Sequence, residues 1–244
     1  MVEKADYGRS AFYLTLWMGL MDQERFQQFN LTHGEPLGRH LREKGVDEHF
    51  MVRFPMGRKA NPQGFHTFIG KDALEAWRRY FEMERGYPKP GEAALLDEAG
   101  KPYRKKALYM AHLRLCRETL RLHGYEKGRS VRYGYNLHEF RDLAKTLLHI
   151  GAKGEGLDMA CVEYRMGHRL RADPYGYDKF YADRGYMLQQ YRIAERHLNI
   201  VSGAAAQSQA GVEKLRECYT LLERAFATLV QRLGERGLDV EATF

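Results

Sequence analysis

Cysteine is scarce: three residues, Cys116, Cys161 and Cys218, stand far apart among 244 positions. Their spacing matches no metal-ligand pattern, which predicts unpaired thiols in a reducing, intracellular compartment. Long hydrophobic runs are missing too. The apolar run near the start, "AFYLTLWMGLM" (Ala11–Met21), is too short to span a bilayer, and "DQER" follows it instead of a small-residue cleavage site. A soluble, cytoplasmic protein with no membrane partner is expected. No period of 20–50 residues repeats and no low-complexity tract appears, so nothing points to a repeat array.

What is present is a chain able to build a core. Hydrophobic residues make up 44% of it, which excludes general disorder. The net charge of +7 predicts a polyanionic partner, nucleic acid before membrane.

Periodicity supplies the elements. Phe12, Leu16, Gly19 and Leu20 share a helical spacing that predicts one core helix from Arg9 to about Phe29. "NLTHGEPLGRHLREKGVDE" reads as a loop and a short charged helix. "HFMVRFP" and "FHTFIG" flank the turn-rich "MGRKANPQG", the pattern of a hairpin with a long basic loop. Helical period returns in "KDALEAWRRYFEMERG", with Ala73, Leu74, Trp77 and Phe81 on one face. Further helices are expected in "KKALYMAHLRLCRETLRLHG", in "NLHEFRDLAKTLLHIGA" with Asn136 as N-cap, in "LDMACVEYRMG" and in "DKFYADRGYMLQQYRIAERHLNI". The fold class is therefore mainly α with a small antiparallel β-hairpin (α+β). Residues 202–211 are small and polar, a linker. Beyond it Val212, Leu215, Tyr219, Leu222, Phe226, Leu229 and Leu233 step by threes and fours, predicting an amphipathic C-terminal helix over 212–235. That helix packs on its own domain or on a second copy; the stripe alone does not choose.

Three words carry chemistry. In "LHEFRD", His138 and Arg141 are three apart on one helix face, where imidazole and guanidinium can bracket a phosphate. In "RMGH" a helix ends at Gly167 and His168 follows in the turn. In "DPYGYDKFY" Tyr175, Tyr177 and Tyr181 crowd together: either a wet aromatic turn, or a segment in which one phenol reacts.

In this order, after a basic hairpin loop bearing Lys59, these words resemble the tyrosine recombinases, the phage-integrase family. The matching features are the H-x-x-R pair, the M-G-H triplet and a tyrosine nine residues beyond His168, which is Tyr177. "YRIAERHLNI" is similar to the ending of archaeal-type integrases, and the likeness covers roughly residues 9–201. It implies a DNA breaking-rejoining catalytic domain over residues 1–201, acting as a site-specific recombinase without metal or cofactor. Tyr177 would attack a backbone phosphate of double-stranded DNA to form a 3′-phosphotyrosine. Arg141, His138 and His168 would hold the phosphate, and Lys59 would protonate the departing oxygen. A homo-oligomer, dimer or tetramer on DNA, is implied as well.

The family's early arginine, in a T-G-L-R-x-x-E context, meets "MGLMDQERFQQF". Aligned on Gly19-Leu20, its place holds Met21; aligned on "ERFQQF", it holds Arg25, which is the expected residue. Asp142 stands where a histidine often follows the motif arginine. Two other readings are kept: a relative that only binds and organises DNA, and a helical metalloenzyme built on His138, His149 and His168. A relaxase of the type IB topoisomerase kind would share the tyrosine chemistry.

Overall fold

The structure is a computed structural model that describes residues 7–56, 64–97, 99–120, 137–168 and 183–202. Lys59, Tyr177, the 203–211 part of the linker and the expected helix over 212–235 lie outside the described residues. Within them the chain is mainly helical around one two-stranded antiparallel sheet. The order is α1 (Tyr7–Gly19), α2 (Gln23–Thr32), α3 (Gly34–Glu43), β1 (Phe50–Phe54), β2 (Phe65–Ile69), α4 (Lys71–Tyr80), α5 (Lys105–Leu120), α6 (Leu137–Gly151), α7 (Met159–Arg165) and α8 (Arg184–Leu198).

The single helix expected over Arg9–Phe29 is two. Leu20 adopts φ 52°, the left-handed region that a right-handed helix cannot continue through. Asp22 then restarts the chain as N-cap of α2, its carboxylate accepting from Arg25 N at 2.9 Å. The apolar pattern runs unbroken across this corner because both helices face the same core: Leu16, Leu20, Met21 and Phe26 are all buried.

α1 is the spine of that core. Its Phe12, Leu14, Leu16 and Met18 are buried, and it packs on α4, α6 and β2. The predicted face of α4 holds: Ala73, Leu74, Trp77 and Phe81 are all buried. Polar atoms brought inside find partners, as Trp77 Nε1 donates to Thr15 Oγ1 at 2.7 Å and Trp17 Nε1 to the Leu198 carbonyl at 2.8 Å. α4 ends in a π-helical turn, Phe81–Arg85, closed by Gly86 at φ 83°.

The hairpin pairs Phe50 with Ile69 through to Phe54 with Phe65. Every residue of β2 is buried, so the strand is covered on both faces, and α1 and α7 both pack on it. α8 closes the body. Past it, Asp72 of α4 accepts from Ile200 N, Val201 N and Ser202 N at 2.6–2.9 Å, anchoring the point where the chain leaves α8. No helix among the described residues is long and apolar enough to cross a membrane.

Candidate functional site

The "RMGH" word folds as a helix-ending motif. Gly167 N donates to the Tyr164 carbonyl at 2.8 Å and His168 N to the Glu163 carbonyl at 3.1 Å, the paired bonds of a Schellman turn with glycine in the left-handed position. Gly167 sits at φ +71°, and a Cβ there would meet the Phe65 ring at 2.8 Å, so the position excludes any side chain twice over. The turn swings His168 back over the end of α7. An apolar contact usually joins the two ends of this motif. Here His168 Nδ1 and Glu163 Oε2 stand 2.5 Å apart instead.

α6 brings Arg141 to the same place. Its guanidinium lies 3.3 Å from His168 Nε2 through Nη2, which also donates to the Met166 carbonyl at the end of α7. Nη1 faces Asp22 Oδ2 at 3.3 Å. One carboxylate therefore caps α2 with one oxygen and pairs with Arg141 through the other. Lys145, one turn after Arg141 on α6, pairs with the second oxygen of Glu163. Lys145, Glu163, His168, Arg141 and Asp22 thus form a continuous polar chain across α6, α7 and the start of α2, with a carboxylate near each end. The His168 and Lys145 contacts hold the Glu163 carboxyl down at about 2.

Arg25 joins from the hairpin side. Its Cζ lies 5.7 Å from the ring centroids of both Phe54 and Phe65, the last cross-strand pair before the loop that carries Lys59. Its Nη1 donates to Gln28 Oε1 at 2.9 Å. Phe65 is the ring that Gly167 closes on, so Arg25, the base of the hairpin loop and the His168 turn border one region.

The expected residues are therefore placed as follows. Arg141 and His168 come together, while Arg25 is related to them through the Phe65 ring and the Asp22 cap. His138 occupies the exposed side of α6, 44% accessible, with Nε2 3.7 Å from Asp142 Oδ2. Arg141 is only 1% exposed, so its guanidinium is embedded in the cluster rather than displayed. Among the described residues no three His, Cys, Asp or Glu side chains are grouped as a metal would need, and His138, His149 and His168 are not brought together.

Three members of the cluster escaped the sequence reading: Asp22, Lys145 and Glu163. Spacing held their signals. Lys145 is four residues after Arg141, on the same helix face, and Glu163 is five before His168, the separation a Schellman turn closes. No family model matches the chain, and no curated protein or solved structure matches it significantly.

Proposed function

We propose that the chain is a tyrosine-type site-specific recombinase, cleaving and rejoining double-stranded DNA by metal-free transesterification, with a tyrosine-recombinase-like catalytic fold. The observation that carries this reading is the meeting of Arg141 and His168, 27 positions apart, at 3.3 Å. An anion at that junction would find a guanidinium and an imidazole in place of a metal. The Tyr177 phenol oxygen would attack phosphorus and break its bond to the 5′ oxygen, which leaves with a proton from Lys59. The phosphotyrosine conserves the bond energy, so rejoining needs no nucleotide cofactor. Arg25 and His138 would add further hydrogen-bond donors around the phosphate. The protein would work in the cytoplasm as a homo-oligomer on DNA.

A duplex carrying a nick near the cleaved phosphate traps the covalent complex. Mass spectrometry of the adduct is expected to locate it on Tyr177, and Tyr177→Phe is expected to abolish it. An adduct on another residue, or none, overturns the reading.

A second reading has its own support. With Arg141 deeply buried and Asp142 beside His138, the cluster suits a protein that binds and organises DNA without cutting it. That reading predicts tight, salt-sensitive binding with no adduct at any nick position.

A further inference from the structure

Guanidinium nitrogens carry hydrogens and never accept, so the 3.3 Å contact between Arg141 Nη2 and His168 Nε2 is a hydrogen bond only if Nε2 has its lone pair. The proton of a neutral His168 then resides on Nδ1, which points at Glu163 Oε2, 2.5 Å away. The other oxygen of Glu163 is taken by Lys145. The charged groups facing the imidazole are thus Glu163 from α7, Arg141 from α6, Lys145 acting through Glu163, and Asp22 acting through Arg141.

We infer that Glu163 is a positioning residue for His168: it fixes the Nδ1–H tautomer and ring orientation, with Lys145 holding the carboxylate in place. The neutral form of His168 consequently offers the Arg141 junction a lone pair, as a base. A carboxylate behind an imidazole in this way both selects the tautomer and stabilises the imidazolium once a second proton arrives.

The chemical consequence rests on the DNA-cleavage reading. The attacking phenol gives its proton to His168 Nε2 as the oxygen–phosphorus bond forms and the bond to the 5′ oxygen breaks. The resulting imidazolium, backed by Glu163, then donates Nε2–H to the phosphate oxygen on which charge has grown. One histidine is base first and hydrogen-bond donor second, and Arg141 exchanges its contact with Nε2 for one with the phosphate. Proton, bond and charge balance without any added reagent, since Lys59 supplies the proton for the leaving oxygen.

The test reads the ring directly. Long-range proton–nitrogen correlation spectra of the ¹⁵N-labelled full chain, with His168 assigned through His168→Gln, are expected to show the Nδ1–H tautomer for the neutral ring. Glu163 is 31% exposed, so Glu163→Gln is expected to fold; it should shift the tautomer population toward Nε2–H, Glu163→Asp should restore part of it, and Lys145→Ala should fall between. An Nε2–H form in the unmodified protein, or a population unchanged by Glu163→Gln, overturns the assignment. On a nicked duplex, Glu163→Gln is expected to slow adduct formation about 10–100-fold with DNA affinity retained; a rate equal to that of the unmodified protein overturns the base role. If the unmodified protein cuts no DNA, the cleavage reading and the base role fall, while the spectra still decide the positioning role.

Discussion

Two arginines at the end of α7 are buried to the same depth, and their surroundings differ in kind. Arg165 is 1% exposed, donates to the Met18 carbonyl at 2.8 Å and to Thr67 Oγ1 at 3.3 Å, and lies with Cζ 4.5 Å from the centroid of Tyr191. No carboxylate pairs with it among the described contacts, and burial pulls its guanidinium down to about 10. Arg141, equally covered, touches Asp22, a carbonyl and His168, and through His168 it reaches Glu163 and Lys145, which are 31% and 40% exposed. Arg165 pins β2 and α1 to α7 in a sealed interior. Arg141 ends a polar chain that reaches water. Burial depth therefore does not separate the two arginines; the titratable groups behind each one do.

The largest effects are expected where this contrast is cut. Arg165→Ala removes the side chain over Tyr191 and leaves the Met18 carbonyl short of a donor, a loss of about 3–5 kcal/mol in urea unfolding. If the proposed recombinase reading holds, DNA cleavage should fall only with the unfolded fraction. Arg141→Ala should cost less in folding, about 2 kcal/mol, because Asp22 keeps some solvent access and its cap on α2. On the proposed recombinase reading, cleavage should drop about 10²–10³-fold. Equal unfolding costs with equal activity losses would erase the distinction.

Gly70→Ala probes the sealed side more gently. A Cβ there would stand 1.9 Å from Glu195 Oε1, which accepts from Lys71 N, while Oε2 meets His49 Nε2 at 2.6 Å. Displacing that carboxylate should cost about 1–3 kcal/mol in thermal or urea unfolding and, on the recombinase reading, leave adduct formation by the folded protein unchanged. A neutral result would mean that this side yields more easily than its packing indicates.

The smallest effect is acid titration of the open side. Glu163 is held at about 2 when folded, against an ordinary value of 4.5. Its contribution is fully present above about 4.5 and disappears as pH falls toward 2, a loss of about 1 kcal/mol or less after solvent screening. His33, held at about 4 by burial, adds a separate loss between its ordinary 6.5 and 4, because the unfolded chain takes up that proton first. Unfolding free energies of the unmodified protein and Glu163→Gln should converge between pH 4.5 and 2; parallel curves across that window would detach Glu163 from its partners.

Much of the framework was legible before any coordinates. The faces of α1 and α4, the hairpin on either side of the Gly/Pro-rich turn and the end of α7 at Gly167 all follow from periodicity and helix-ending chemistry, which act within a few residues. The corner at Leu20 was not, since an apolar run looks the same whether its two halves are one helix or two packed on one core. Nor was Arg165 readable as a core residue, because a charge on a short amphipathic helix carries the signature of a solvated face.

The residue order H-x-x-R, M-G-H and a following tyrosine, the basic charge and the glycine that must turn at position 167 belong to the sequence alone. That Arg141 meets His168, that Asp22 reaches Arg141 across 119 positions and that Arg165 does not share their cluster were decided by tertiary packing. The physical reason is range: local propensities orient a side chain on its own helix, while only the docking of α6, α7 and the start of α2 determines which charges face each other.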